Sequence, residues 1–368
     1  MPSEIHRKRV ARLAQILQDL GIDAYFATSP ITMGWLYNLH EGGGERFMML
    51  AISATGQVRF ICPGLSVTQA KRSGAEDVRG WNDGQDPLVH VRQLADDWNL
   101  RSGLIAVEDE MRAQMLLWMQ KELPAALFKS GQEVIASLMG RKEKDEIDAL
   151  EAAGKIADDA LAVALKTIKP GVTERQVADA LVAEMTRMGG GPGFCIVATG
   201  ANGAEPHHGT DDTVIQEGDV IILDYGCSIK GYPSDITRTV CCGKASDEAK
   251  KIYDIVYRSH MAGRAAIRVG AECQQTDRAA RKVIEEAGYG EYFMHRLGHG
   301  IGMRGHEDPY MIEGNTLPLD VGHCFSIEPG IYLPGKFGVR IENIVTVTPD
   351  GHRSLNAEPS PTLIEIPV

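Results

Sequence analysis

The sequence LDYGCSIKGYPSDITRT (residues 223–239) places two acids, Asp224 and Asp235, in hydrophobic, strand-like surroundings. A turn centred on Ile229 and Lys230 predicts a hairpin in which the two aspartates lie directly opposite each other. Facing carboxylates are about 5 Å apart at their Cβ atoms, and their repulsion grows where water is excluded. Two interpretations follow: an exposed acidic turn, or a buried pair that needs a positive group between its members. The apolar residues before Asp224 favour the buried pair.

The pattern that precedes Asp224 occurs twice in the chain. Gly218 to Asp224 is GDVIILD and Gly322 to Glu328 is GHCFSIE, so both place an acid six residues after a glycine, at the end of an apolar strand. Chance would give such a match, and so would a duplicated strand.

Histidines are concentrated in the segment HRLGHGIGMRGHEDP, which contains His295, His299 and His306. Glycines on both sides of His299 allow the backbone and the imidazole to approach another group closely. A surface loop would explain three neighbouring histidines. Imidazole is also the commonest metal ligand in proteins, and carboxylates elsewhere in the chain would complete a metal site.

A strand-like segment and a loop add further candidates. Glu342 lies within GVRIENIVTVT, where Arg340 shares its face by the two-residue period of a strand. This pattern fits a salt bridge, and it also fits a metal ligand oriented by an arginine. The loop GANGAEPHHGTDD carries His207 and His208; such loops often position catalytic groups, although a surface histidine pair looks the same.

Outside these patches, the chain changes character near residue 140. Residues 1–140 alternate helical and strand patterns, which predicts an α/β domain with a mixed sheet. A long helix with a charged first turn follows, and then a second helix whose Thr173 and Gln176 are spaced as a capping box. From Gly193 onward, short β-segments are interrupted by two helical stretches. Residues 141–368 therefore predict an α+β domain.

Composition excludes several classes of protein. Of the 368 residues, 50 are acidic and 38 basic, a formal net charge of −12, which argues against nucleic acid or an anionic membrane as a partner. The first twenty residues predict a charged amphipathic helix rather than a signal peptide. We expect a soluble, cytoplasmic protein whose seven cysteines are reduced and mostly buried, because they show no CxxC spacing.

Taken together, these patches resemble the metallopeptidases of the pita-bread fold, in the branch of the Xaa-Pro dipeptidases (prolidases) and Xaa-Pro aminopeptidases. The resemblance rests on DYG, SDITRT, GHGIG, EPGIY and RIEN and covers most of the chain. It implies an α+β pita-bread catalytic domain at 141–368, preceded at 1–140 by a smaller α/β creatinase/prolidase-type domain. It also implies a dimetal site with five ligands: Asp224, Asp235, His299, Glu328 and Glu342.

The resemblance further implies catalytic roles for His207, His306, Glu328 and Arg340, and less directly for His295, four residues before His299. Asp235 and Glu342 would bridge the two ions. One departure from the family pattern is MRG before the His-Glu pair, where Arg304 would alter what binds beyond the proline. That departure leaves the length of the substrate open.

The N-terminal domain of such proteins commonly mediates dimerisation, gates the substrate and can lend residues to the partner's active site. We therefore expect a homodimer. Tyr37, His40 and Arg46 are candidates for residues that reach the partner, although core or surface roles fit them as well.

A ligand set of four carboxylates and one imidazole without thiolate suits Mn²⁺ first, with Co²⁺ or Zn²⁺ as alternatives. The expected reaction is hydrolysis of the bond between an N-terminal residue and proline by an Xaa-Pro dipeptidase, with an Xaa-Pro aminopeptidase acting on longer peptides as the main alternative. A metal-free amidinohydrolase or a non-enzymatic binding protein would have lost acidic ligands, and none is missing here. A methionine aminopeptidase would usually lack the domain in front.

Overall fold

A six-stranded mixed sheet forms the centre of the first of two units, Met1–Met139 and Gly140–Val368, into which the chain divides. The structure is a computed structural model, and it describes residues 3–368. The elements of the first unit are α1 (Glu4–Asp19), β1 (Ala24–Ala27), α2 (Pro30–Tyr37), β2 (Met49–Ser53), β3 (Val58–Pro63), α3 (Val67–Arg72), β4 (Val78–Trp81), α4 (Leu88–Asp97), β5 (Leu104–Val107), α5 (Ala113–Glu122), β6 (Leu127–Ser130) and α6 (Gln132–Met139).

The strand order in this sheet is β4-β3-β2-β1-β5-β6. The pairs β1–β2 and β2–β3 are antiparallel, whereas β3–β4, β1–β5 and β5–β6 are parallel. Residues of β1, β2 and β5 pack with α4 and α5 in one apolar core. The mixed α/β sheet predicted for this part of the chain is therefore present.

Four elements of this unit were not predicted. In α2 six of the eight residues are buried, so it lacks the one-sided pattern of a surface helix, although Ser29 caps it and Pro30 occupies its first turn. The strands β4 and β6 are the two edges of the sheet and are largely exposed, so they lack a strong apolar signal. The fourth is α6, at the end of the unit.

The second unit contains two larger sheets and a two-stranded one. Its elements are α7 (Lys144–Thr167), α8 (Glu174–Arg187), β7 (Gly191–Thr199), β8 (Val220–Ile229), β9 (Tyr232–Pro233), β10 (Ile236–Cys242), α9 (Asp247–Ala265), α10 (Cys273–Glu286), β11 (Gly298–Gly300), β12 (Glu307–Met311), β13 (Cys324–Ile327), β14 (Gly330–Leu333), β15 (Phe337–Arg340), β16 (Asn343–Thr348), β17 (Gly351–Ser354) and β18 (Ile364–Ile366).

Each of the two larger sheets is covered by a pair of helices. The first has the order β18-β10-β8-β7, and its residues share an apolar core with α7 and α8. The second has the order β12-β11-β13-β16-β17, and its core contains α9 and α10. The capping box predicted at the start of α8 is present, with Thr173 and Gln176 each bonded to the other's backbone N–H.

The two glycine-to-acid segments occupy matching places in these two sheets. Asp224 lies on β8, between β7 and β10, and Glu328 directly follows β13, between β11 and β16. Gly218 has a φ of 92° and Gly322 a φ of 88°, which favour glycine at both positions. This arrangement favours duplication over chance, although β8 continues past Asp224 to Ile229 rather than ending there.

The predicted register of the first hairpin is wrong. Lys230 and Gly231 both have positive φ, 51° and 82°, so they form the two central residues of the turn, and Ile229 pairs with Tyr232. Asp224 consequently lies opposite Thr237 rather than Asp235. A shift of two residues leaves side chains on the same face, since side chains in a strand alternate with a period of two.

Two further sequence predictions concern the chain as a whole. All seven cysteines are free, and six of them are buried while Cys195 is partly exposed. Over residues 3–368, none of the helices combines the length and the apolar character that crossing a bilayer requires.

Candidate metal centre

The predicted metal ligands come from five different places in the second unit. Asp224 lies on β8, and Asp235 lies in the two-residue gap between β9 and β10. His299 is the middle residue of β11, and Glu328 directly follows β13. Glu342 lies between the end of β15 at Arg340 and the start of β16, so the prediction that it lies within a strand is wrong.

The structure brings these five side chains together. Possible ligand atoms of Asp224, Asp235 and Glu342 all lie within 4.8 Å of one another, and so do those of His299, Glu328 and Glu342. A third group joins Asp235 and His299 with His306. His299 Nε2 is 3.4 Å from Glu328 Oε1 and 3.7 Å from Asp235 Oδ2. Asp235 and Glu342 thus each belong to a group with Asp224 and to a group with His299.

Burial makes this concentration of negative charge costly. Asp235 is 7% exposed and Glu342 2% exposed. Burial and then the neighbouring carboxylates raise the pKa of Asp235 and of Glu342 well above the usual range. Burial also raises the pKa of Glu328 to about 7, with Arg340 opposing the rise. The repulsion predicted from the first acid pair is therefore present, and it extends to four carboxylates.

These residues fit a pair of divalent cations. Asp224 Oδ1 is buried and has no hydrogen-bond partner, so one ligand atom is available for an ion. Burial lowers the pKa of His299 to about 3, which keeps its imidazole neutral, as metal binding requires. All the candidate ligand atoms in these groups are oxygen or imidazole nitrogen. That set suits hard or borderline divalent ions.

Arg340 binds Asp224 rather than Glu342. Its Nη2 donates to Asp224 Oδ2 at 2.6 Å, its Nε donates to Thr237 Oγ1 at 3.1 Å, and its Nη1 donates to the Tyr332 hydroxyl at 3.0 Å. The alternative of a salt bridge between Arg340 and Glu342 is therefore wrong. The arginine instead orients Asp224, while the hydroxyl of Thr237 donates to Glu342 Oε2 at 2.7 Å.

The predicted catalytic histidines line one cavity of about 600 Å³ with the five candidate ligands. His295 Nε2 is 2.9 Å from the Tyr332 hydroxyl, which connects it through Arg340 to Asp224. The imidazole of His306 stacks 3.7 Å from that of His299, measured between ring centroids. His207 is exposed at the cavity wall. Arg304 is not among the described residues that line the cavity.

Three residues that contact the candidate ligands or Arg340 were not predicted from the sequence. Tyr332 is fully buried and resembles a core residue of β14. Arg238 donates to the backbone oxygen of Glu342 at 2.6 Å. The hydroxyl of Thr237 forms hydrogen bonds with Glu342 and Arg340. Only the SDITRT motif gave a signal for two of them, because it contains Thr237 and Arg238. Their contacts with residues more than 100 positions away depend on tertiary structure.

Comparisons with known proteins identify the family of this chain. The model of metallopeptidase family M24 matches residues 148–349, and that of the creatinase/prolidase N-terminal domain matches residues 9–138. This chain belongs to metallopeptidase family M24. It is 37% identical to a probable dipeptidase PepE of Mycobacterium bovis, over 100% of this chain and 98% of that protein. It is 36% identical to an Xaa-Pro dipeptidase of Lactobacillus helveticus, over 93% and 95% of the two chains.

A solved structure extends the M24 assignment to the architecture. The prolidase of Thermococcus sibiricus superposes with a TM-score of 0.92 at 32% identity, covering 99% of this chain and 100% of that one. The expected architecture, a pita-bread catalytic domain behind a creatinase/prolidase-type N-terminal domain, is confirmed. The expectation of a metallopeptidase in the prolidase branch is confirmed as well.

The three N-terminal candidates occupy core or surface positions within the first unit. Tyr37 is buried, with its ring edge against Phe60, and Arg46 pairs with Asp83 on the surface. His40 is exposed. These contacts fit the core and surface roles, and a role of the three residues in a partner's active site stays a prediction.

Proposed function

We propose that this chain is an Xaa-Pro dipeptidase, which releases an N-terminal residue from a C-terminal proline with the help of two divalent cations. The observation that carries the proposal is the buried group of four carboxylates and one imidazole, beside which the cavity presents a cation, Arg296. The similarity to the Xaa-Pro dipeptidase of Lactobacillus helveticus supports it. Proline requires a dedicated site because an Xaa-Pro bond lacks the N–H through which other sites bind an extended backbone.

Asp224, Asp235, His299, Glu328 and Glu342 would hold the two cations. Asp235 and Glu342 would contribute to holding both cations, because each belongs to a group with Asp224 and to another group with His299. When bound, the cations polarise the scissile carbonyl and lower the pKa of water enough for attack at neutral pH. Mn²⁺ is our first choice, since the ligand atoms are oxygen and imidazole nitrogen; Co²⁺ and Zn²⁺ are the alternatives.

The remaining steps belong to side chains of the cavity. Glu328 accepts a proton from the attacking water on a carboxylate oxygen and delivers it to the prolyl nitrogen as the C–N bond breaks. His306 donates a hydrogen bond to the substrate carbonyl, and His207 stabilises the tetrahedral intermediate or contacts the prolyl side. Arg340 orients Asp224, and His295 supports Arg340 through Tyr332.

Arg296 favours the dipeptidase over the aminopeptidase. Its guanidinium stacks on the ring of Tyr310, 4.4 Å from the ring centroid, and it forms no ion pair with any carboxylate of residues 3–368. A half-buried cation without a carboxylate partner fits an anion of the substrate. In a dipeptide that anion is the proline carboxylate, whereas in a longer peptide the same position carries a neutral amide.

The experiment compares Ala-Pro, Ala-Pro-NH₂ and Ala-Pro-Phe as substrates of the Mn²⁺-loaded protein. Wild type should prefer Ala-Pro, and Arg296→Met should lower its kcat/KM by about 10- to 100-fold, the worth of a hydrogen bond to a charged group. For Ala-Pro-NH₂, Arg296→Met should change kcat/KM little. The matched variant Arg304→Met should leave the Ala-Pro rate unchanged. Turnover confined to Ala-Pro-Phe would favour the aminopeptidase, and no turnover of any Xaa-Pro peptide would contradict the proposal.

The proposal also includes the identity of the metal, the oligomeric state and the cellular location of the protein. Stripping the protein with a chelator and reloading it with Mn²⁺, Co²⁺ or Zn²⁺ should give the highest rate with Mn²⁺. Light scattering should give the mass of a homodimer, twice the 40.0 kDa of one chain. A cytoplasmic location is supported by the seven free cysteines, and fractionation of the source cells tests it.

A further inference from the structure

Glu174 is a buried carboxylate outside the metal centre. It is the first residue of α8, and it is 0% exposed. Its side chain lies within ligand distance of His208 and Asp211, so the three residues resemble a third metal site. The hydrogen bonds of Glu174 decide between that interpretation and a different one.

Four N–H groups already occupy the carboxylate. Oε1 accepts from the backbone N–H of Thr199 at 2.7 Å and from Asn202 Nδ2 at 3.0 Å. Oε2 accepts from His208 Nε2 at 3.0 Å and from the backbone N–H of Asp211 at 3.2 Å. A carboxylate offers about four lone-pair sites. All of them are used, so no ligand position is left for a cation.

These four donors have one feature in common, which is their place in the chain. All of them belong to the segment 199–211, which contains His207. The hydrogen bond from the N–H of His208 to the carbonyl of Glu205, at 3.0 Å, closes a turn with Pro206 and His207 at its centre. His208, the last residue of that turn, is anchored on Glu174.

His207 itself depends on this backbone. Its side chain is exposed at the wall of the metal cavity and makes no side-chain hydrogen bond within residues 3–368. Its position is therefore set by the turn. The start of α8 also holds the far end of the segment, because the N–H of Glu174 donates to Thr213 O and that of Arg175 to Asp211 O, both at 3.1 Å.

We propose that Glu174 is a positioning residue, which holds the turn Glu205–His208 through His208 and thereby presents His207 to the substrate. The proposal rests on the peptidase function proposed above, because it takes His207 as the group that meets the substrate. Misplacing a catalytic group by about 1 Å costs on the order of 100-fold in rate. Loss of the anchor should therefore lower the rate without removing the metals.

A double-mutant cycle with Ala-Pro as substrate tests the proposal in the Mn²⁺-loaded protein. Glu174→Gln should lower kcat by about 10- to 100-fold, since the amide cannot accept from both donors on the Oε2 side. In a His207→Ala background the same change should have an effect of less than about twofold. Glu184→Gln, on the same helix but accessible to solvent and paired with Arg187, should have no effect. If the two changes lowered kcat independently, so that their fold-losses multiplied in the double variant, the proposal would be overturned.

His208→Leu is the second variant, and it removes one donor while leaving the carboxylate in place. Its kcat should also fall, by about tenfold, with a smaller change in KM. This loss should again be seen only when His207 is present. Should Glu174→Gln not fold, this cycle decides the question alone. Metal analysis should give two ions per chain for wild type and for His208→Leu, and a loss of one ion would show a metal site instead.

Hydrogen exchange separates this proposal from the peptidase function, because it needs no substrate. Backbone amides of residues 205–211 should exchange faster in Glu174→Gln or His208→Leu than in wild type, while those of β8 and β13 should not change. Unchanged exchange at 205–211 would overturn the positioning role. If exchange were faster in the variants but wild type did not turn over Xaa-Pro peptides, the anchoring role of Glu174 would be supported and the peptidase function contradicted.

Discussion

Glu174 and Glu342 are both buried carboxylates of the second unit, but their surroundings differ. Glu174 accepts hydrogen bonds from four N–H groups, whereas Glu342 accepts one from the hydroxyl of Thr237 and faces Asp235 and Asp224. Burial and these neighbours raise the pKa of Glu342 well above its usual range. A buried negative charge is stabilised by N–H donors or by a cation. The region with too few donors for its carboxylates is therefore the one that needs metal.

Glu307 is a third buried carboxylate, stabilised by a lysine, and breaking this pair should give the largest effect on stability. Lys142 Nζ donates to Glu307 Oε1, and the two side chains are 1% and 6% exposed. Lys142→Met should lower the free energy of unfolding by about 3–5 kcal/mol, because it leaves Glu307 buried without its cation. Lys144→Met, whose lysine pairs with Asp148 on the surface, should cost less than about 1 kcal/mol. Urea unfolding measures both, and equal losses would show that the Lys142 pair contributes little.

Removing one charge from the metal centre should affect activity more than any change around Glu174. Asp235→Asn keeps the shape of the side chain but replaces an anionic ligand by a neutral one. We expect kcat/KM to fall by more than about 100-fold, the upper range for residues that only orient ligands. Metal analysis should give fewer than two ions per chain. Asp254→Asn on the surface of α9 is the control, and a fully active, fully loaded Asp235→Asn would show that the ligand set is wrong.

The next largest effect is expected on the pH dependence of metal affinity, which distinguishes the metal centre from the surroundings of Glu174. Burial raises the pKa of Glu328 to about 7, so a proton occupies this carboxylate below that pH and a cation must displace it. The affinity for Mn²⁺ should therefore fall by at least about tenfold between pH 8 and pH 6, because the raised pKa values of Asp235 and Glu342 act in the same direction. Chelator competition measures this difference, and Glu328→Gln should reduce the pH dependence. Equal affinities at the two pH values would be inconsistent with a protonated Glu328.

The smallest effect is expected for the difference between wild type and Glu174→Gln when metal is removed from both. Chelation should lower the melting temperature of wild type, since a ligand bound to the native state stabilises it. Glu174→Gln should show the same decrease within experimental error, because its site has no place for a metal. A smaller decrease in the variant, measured by differential scanning calorimetry, would contradict the distinction between the two carboxylates.

Local sequence patterns determined much of this protein. Helical periodicity predicted α1, α7, α8, α9 and α10, and short motifs predicted which five side chains meet as candidate ligands. These features are local, because a helix face or a capping box depends on residues three or four positions apart. The exposed edge strands β4 and β6 and the buried helix α2 were missed because their patterns are not amphipathic.

Tertiary structure alone decided the partners of those side chains. The positive φ angles of Lys230 and Gly231 moved the hairpin register by two residues, so that Asp224 faces Thr237. Arg340 turned out to orient Asp224, a residue 116 positions away. Sequence determined which chemical groups are present, because each carries its own charge and donors. Which groups are satisfied within the protein and which require a metal depends on strand register and burial, and these arise only when distant segments pack together.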